Sequence, residues 1–200
     1  MPLLKESFDA RRPFGDALTR KLLRDFRLYM LVGGMPQAVS TYLETLNLAD
    51  VDRKKREIID IYIDDFQKID PSGKISKMFS SIPAQLSKNA SRFQQSSIVG
   101  RGYPSETVDE FLRDMEDSLT VNFAHHSDNP EVGLPSHTDY GQYKLYMGDT
   151  GLFITLAFWD NAFSDNVIYE KLLSDKLSVD LGYVYENIVA QMLVASGHKL

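Results

Sequence analysis

By residue type, the groups best suited to hold an ion are His125, His126 and His137, with Asp128 and Asp139 close by in the chain. Imidazole nitrogen and carboxylate oxygen are the ligands of zinc and of harder divalent cations. Neighbours along a strand point to opposite faces, so at most one of His125 and His126 can join His137 and one aspartate across a loop. The spacing matches no zinc signature. Asp64 and Asp65 are adjacent on a helical segment, about 100° apart around its axis, and cannot converge on one ion unaided. They are expected to cap, or to pair with Lys and Arg of neighbouring helices. No Gly-x-x-x-x-Gly-Lys-Ser/Thr stretch occurs, so the chain has no such cradle for a triphosphate and its magnesium. Gly33-Gly34 is no substitute, because it ends a helix and no Lys-Ser/Thr follows. No Ser-His-Asp arrangement is legible. The absence of cysteine excludes a disulfide framework and a thiolate metal site.

The elements that would position these groups follow from periodicity. Residues Met1 to Phe14 lack a pattern and read as an irregular arm. From Asp16, apolar Leu18, Leu22, Leu23, Phe26, Tyr29 and Met30 recur at helical spacing until Gly33-Gly34. Pro36 opens a second helix with Val39, Tyr42, Leu43 and Leu46 inward. A third, Val51 to Ile69, puts Val51, Ile58, Ile59, Tyr62, Ile63 and Phe66 inward and the run Asp52 to Glu57 outward. After the break at Asp70-Pro71-Ser72-Gly73, a helix from Lys74 meets Pro83, which either kinks it or opens another. Phe93 to Val99 has the composition of a short strand. Ser105 caps a helix to Ser118 with Val108, Phe111, Leu112 and Met115 inward. The alternation Leu119 to Ala124, a turn-rich tip over 127–141 and the return strand Tyr143 to Met147 make a hairpin. Strand Lys144 to Met147 then turns the corner Gly148-Asp149-Thr150-Gly151, with Asp149 as N-cap, into an apolar helix that begins at Leu152. Helices Val167 to Leu173 and Leu181 to Leu193 follow, with Gly197 as the last C-cap.

The chain of 200 residues is 43% hydrophobic with a net charge of -6. That balance argues against a surface built throughout to neutralise phosphate, while leaving room for a local basic face. No leader-like segment opens the chain, and the longest apolar stretch, Leu152 to Trp159, is too short to span a bilayer. A cytoplasmic protein that does not enter a membrane is expected.

Six spaced motifs then carry a resemblance: Tyr29 with Gly33-Gly34-Met35-Pro36; Asp64-Asp65-Phe66; Ile75 with Ile82-Pro83-Ala84-Gln85-Leu86; Phe93; Lys144 to Leu152 with Tyr146, Asp149 and Gly151; and Gly182 with Glu186-Asn187-Ile188-Val189-Ala190. In this order, and over nearly the whole chain, they resemble the C-terminal region of a prokaryotic family of predicted AAA-superfamily ATPases. Those proteins carry a domain of unknown function behind their P-loop module. The resemblance implies an ATP-binding domain before the Gly-Gly-Met-Pro turn, and a segment like restriction-endonuclease folds after a winged helix. ATP and magnesium are implied only for that missing N-terminal domain, and no cofactor is expected in this chain. A last apolar helix with nothing after it to cover its far side suggests a natural protein that continues.

The expected fold is therefore mainly α within α+β: a helical bundle over 1–70, a winged-helix-like domain over 71–148 with its long wing at 127–141, and the start of a truncated nuclease-like domain over 149–200. In that frame Glu186 takes the place of a metal-site carboxylate on the first core helix, but cleavage needs partner carboxylates converging from adjacent strands. The expectation for Glu186 and Asn187 is a structural tie. Helix 105–118 shows Glu106, Asp109, Glu110, Asp114, Glu116 and Asp117 against Arg113, the wrong sign for entering a groove lined by phosphates. A protein-contact module is expected, coupling ATP use in the parent to a bound partner. The alternatives are DNA contact through the basic groups Arg11, Arg12, Arg20, Lys21, Arg24, Arg27, Lys74, Lys77, Lys88, Arg92 and Arg101, or a remnant metal-dependent nuclease centred on Glu186.

Overall fold

The computed structural model describes residues 2–88, 90–100, 105–128, 137–160, 167–174 and 182–200. It is mainly helical, with one two-stranded antiparallel sheet. The arm expected over Met1 to Phe14 contains a helix, α1 (Pro2–Asp9), whose eight residues give too few turns for a stripe to be read. Helix α2 (Asp16–Val32) ends where Gly33, at φ 81°, donates its N–H to Tyr29 O. Only its last turn, Met30, Leu31 and Val32, is fully buried, while Leu18 and Leu23 from the expected stripe lie at the surface.

Helix α3 (Pro36–Thr45) docks through Ala38, which packs with Val32 and Val51, while Leu43 and Leu46 face solvent. The small alanine lets the helices approach closely, and that approach selects a different face from the one the leucines suggest. Helix α4 (Leu48–Ile69) is capped by Asn47, whose Oδ1 accepts from Ala49 N–H. The outward placing of its charged run is overturned at Asp52 and Lys55, which are buried. Asp70 is buried in the following turn and accepts from Ser72, Lys74 and Ile75 N–H, so the Asp-Pro-Ser-Gly break is itself the cap of α5 (Lys74–Ser87). That helix runs on through buried Pro83, with Met78, Phe79, Ile82 and Leu86 buried around it to offset the missing N–H.

The strand expected over Phe93 to Val99 is instead the short helix α6 (Ser96–Val99), where Ser97 Oγ bonds back to Gln94 O. Local side-chain bonds of this kind compete with strand formation. Phe93 donates its backbone N–H to Tyr143 O of the sheet at 2.7 Å, and the Gln95 side chain bonds the Tyr143 hydroxyl. Helix α7 (Ser105–Asp117) leads into β1 (Val121–Ser127), which pairs with β2 (Thr138–Met147). The strands extend into the range expected to be a wing, and residues 129–136 of that wing lie outside the described residues, as do Arg101, Leu181 and residues 161–166. The ladder is regular from Val121↔Met147 to His125↔Tyr143, then jumps to His126↔Asp139.

Helix α8 (Thr150–Ala157) is apolar on all sides because it is covered on all sides, and α9 (Val167–Ser174) and α10 (Gly182–Ala195) complete the chain. Gly197, at φ 84°, ends α10 as expected, with His198 N–H donating to Leu193 O. One cluster of buried residues takes in Met30, Ile59, Phe79, Met115, Leu145, Phe153 and Ile188, so bundle, hairpin and last helix share a core.

Candidate functional site

The motifs separated in sequence meet at one joint around Asp149. Strand β2 delivers Lys144, Tyr146 and Met147 to it, the N-terminus of α8 supplies Asp149 to Gly151, and the end of α2 supplies Tyr29, Gly33 and Gly34. Asp149 Oδ1 accepts from Leu152 N–H at 2.8 Å and Oδ2 from Gly34 N–H at 2.6 Å. The buried carboxylate thus lies between the start of α8 and the turn into α3, where exposed amides of both helices favour negative charge. Gly33 and Gly151 touch backbone to backbone. Met35 and Pro36 then start α3, and Met35 Sδ accepts from Tyr62 OH.

Helix α10 clasps the other side. Glu186 Oε1 accepts from Lys144 Nζ at 2.6 Å and from Tyr146 OH at 2.7 Å. Partial burial pushes the Glu186 carboxyl up, but the bonds from Lys144 and Tyr146 outweigh this and hold it below the usual range. Burial and the same carboxylate push the Tyr146 hydroxyl well above its usual value. The next residue, Asn187, is fully buried: its Oδ1 accepts from Met147 N–H at 2.8 Å, and its Nδ2 donates to Met147 O and Thr150 Oγ1. A further turn along, Gln191 Oε1 accepts from Thr150 N–H and Oγ1, and its Nε2 donates to Tyr29 OH. Glu186, Asn187 and Gln191 therefore read β2 and the start of α8 as an additional strand would, through side chains.

Beneath the joint lies a polar network that the sequence reading places at the surface. Lys55 Nζ, fully buried, donates to Leu31 O at 2.6 Å, Gly151 O at 3.2 Å and Tyr169 OH at 3.2 Å. It ties the last turn of α2 to the first of α8. Burial lowers the Lys55 ammonium to about 8, against the pull of Asp52 and Asp149. Asp52 accepts from Tyr169 OH at 2.7 Å, Thr155 Oγ1 at 3.2 Å and Arg56 Nε at 2.8 Å. Arg56 in turn donates to Trp159 O and lies over the Trp159 ring. Tyr169 and Gln191 were not singled out by sequence reasoning, although Gln191 follows Asn187 by one helical turn.

The remaining motif residues serve packing. Phe66 and Leu86 are core, Pro83 is buried inside α5, Asp65 pairs with Lys68 at the surface, and Gln85 Oε1 accepts from Gln94 N–H. His126 pairs with Asp128 at 2.9 Å, and Asp139 is bound to Gly141 N–H and Gln142. Among the described residues, no three His, Asp or Glu side chains gather as metal ligands. No described helix is long and apolar enough to cross a membrane.

The acidic residues Glu106, Asp109, Glu110, Asp114, Glu116 and Asp117 of α7 are exposed, as expected. Between α7 and the hairpin is a cavity of about 680 Å³, walled on one side by Asp109 and Glu116 and on the other by Phe123, His125, Tyr140 and Tyr143.

These features define a mainly helical α+β domain whose sequence motifs build a joint between its two ends. The chain belongs to a family described as a domain of unknown function, DUF8612, whose pattern matches residues 23–162. The match takes in the Gly33–Gly151 contact, Lys55 and Asp52 of the buried network and the cavity beside α7; Tyr169, Glu186, Asn187 and Gln191 lie beyond it. No curated protein and no solved structure matches the chain.

Proposed function

We propose that this chain is the non-catalytic coupling region of an AAA-type ATPase, passing nucleotide-dependent motion from an N-terminal ATP-binding domain to a bound protein partner. The observation that supports it is the convergence at Asp149. The motifs that carry the resemblance lock the turn at Gly33-Gly34, next to which the ATPase domain would sit, onto β2 and α10. The side chains that chemistry would need are engaged in that lock, Glu186 by Lys144 and Tyr146 and Asp149 by two backbone amides. A rigid joint of backbone contacts and buried amide bonds transmits displacement because packed interfaces do not deform continuously.

The finer fold reading is a winged helix over α5 to β2. Three helices precede a hairpin, and Phe93 bonds to Tyr143 O where a first strand would pair. With α7 acidic on its exposed face, the occupant of such a unit is a protein and not a duplex.

The test is ATP turnover. The natural full-length polypeptide hydrolyses ATP with magnesium and the 200-residue chain alone does not. Turnover by the isolated chain, or none by the full-length polypeptide, overturns the reading.

A further inference from the structure

The cavity between α7 and the hairpin has a built wall. At the break in the β1–β2 ladder, residues 140–142 leave the register, which brings Tyr140 edge-on to His125 at 5.1 Å between ring centroids. His125 stacks on Phe123 at 5.6 Å, and Phe123 meets Tyr143 at 5.1 Å. Four aromatic rings thus line one side. Opposite, Asp109 and Glu116 are seven residues apart on α7, hence on one helical face, and both are exposed. The Asp109 charge reaches the aromatic wall: it adds to the burial that pushes the Tyr143 hydroxyl up to about 12, against the bond from Gln95. His125 Nδ1 is buried with no hydrogen-bond partner among the described residues.

Aromatic faces attract cations through their quadrupoles, and a facing carboxylate adds an ion pair. A volume of about 680 Å³ is far larger than a metal ion needs and suits a long side chain with its flanking backbone. Guanidinium fits better than ammonium, since it is planar, stacks on rings and binds carboxylates with two parallel bonds. The acidic face of α7 continues past the cavity through Glu106, Glu110, Asp114 and Asp117, which favours a ligand carrying several positive charges.

We infer that the cavity walled by Tyr140, His125 and Phe123 on one side and by Asp109 and Glu116 on the other binds an arginine side chain of a basic protein segment lying along α7. This names the partner chemistry of the coupling proposed above and rests on that reading for its biological role. The binding itself is measured on the isolated chain, so its failure is separate from a failure of ATP turnover.

The probe is a fluorescent twelve-residue peptide of alternating arginine and glycine, with a lysine–glycine peptide of the same length beside it, followed by anisotropy. The arginine peptide binds the wild type more tightly than the lysine peptide. Tyr140→Ala, at an exposed position that leaves the core intact, and Glu116→Gln each weaken it by about fivefold. Glu110→Gln, outside the cavity, weakens it less. Arg113 lines the same space and its positive charge opposes that of an entering guanidinium, so Arg113→Ala tightens binding. Circular dichroism confirms that each variant is folded. Equal binding of the two peptides, wild-type binding by Tyr140→Ala, or weaker binding by Arg113→Ala overturns the proposal.

Discussion

A methyl group on Gly151 would lie 2.6 Å from the Cα of Gly33, although 118 positions separate the two in sequence (151 − 33 = 118). The atoms in the way are backbone, so no rotamer change relieves the overlap. Gly33 also sits at φ 81°, where a side chain is strained whatever the space. Gly151→Ala is expected to cost about 3 kcal/mol, the upper end of overpacking penalties. For a chain of this size that lowers the melting temperature by about 6–12 °C. Gly15→Ala, with nothing within 4 Å of the added atom, serves as the control and costs only the exchange of a glycine N-cap on α2, about 1 kcal/mol or less. Thermal melts of the two variants check this.

Lys55 makes stability depend on alkaline pH. Its ammonium is lowered from 10.5 to about 8 in the folded chain. Between those values the unfolded chain binds more protons, so stability rises with pH; below about 8 both states are charged and the penalty is constant. Against Lys55→Met, the wild type should gain about 1–3 kcal/mol across this window. Lys55→Met also leaves Leu31 O and Gly151 O without their donor, and is expected to be less stable than the wild type at neutral pH by about 2 kcal/mol or more. Urea midpoints at neutral and alkaline pH measure both effects.

How Lys55 is read in the sequence shows where legibility ends. It lies four residues after Val51 and four before Ile59, on the very stripe that marks the inward face of α4. The sequence reading put it outside with the charge run Asp52 to Glu57, although its spacing from Val51 and Ile59 is that of the inward face. The spacing was the better guide, because acceptors at Leu31, Gly151 and Tyr169 come from segments up to 114 residues away that no local window contains. Helix ends fared better: Gly33, Asp149 and Gly197 act locally as stops and caps and were legible. The ligand-sized space beside α7 was not, because it depends on a ladder jump at His126 that nothing in the composition of β2 announces.

Asp70 ties α5 to α4 through charge. Burial pushes its carboxyl up, but the bonds from Ser72, Ile75 and Lys74 outweigh that and hold it below its ordinary 3.8. The stability it adds is therefore present above about pH 4 and is lost as pH falls through the folded-state value. Asp70→Asn replaces one acceptor with a donor facing amide donors, and should cost about 1–2 kcal/mol at pH 7. The gap between wild type and variant narrows as pH falls below 4, which denaturant midpoints at pH 7 and pH 3 will show.

Glu186 and Asn187 are adjacent on α10 but hold the joint with different strength. Glu186 is only partly buried, so Glu186→Gln, which keeps the bond from Tyr146, is expected to cost about 1 kcal/mol or less. Asn187→Ala removes both partners of Met147 in a buried site and should cost about 3 kcal/mol. Chemical denaturation ranks the two, and an Asn187→Ala cost no larger than that of Glu186→Gln contradicts the reading of Asn187 as the buried tie of the joint.

The coupling account is tested most directly by hydrogen exchange on the natural full-length polypeptide, with and without a non-hydrolysable ATP analogue, in the wild type and in Asp149→Asn. The account predicts that the analogue changes the protection of β2 and α10 in the wild type, and that Asp149→Asn, with the link to Gly34 weakened, still binds the analogue but no longer passes the change on. An identical response of β2 and α10 in the two proteins, or no response in the wild type, would contradict it.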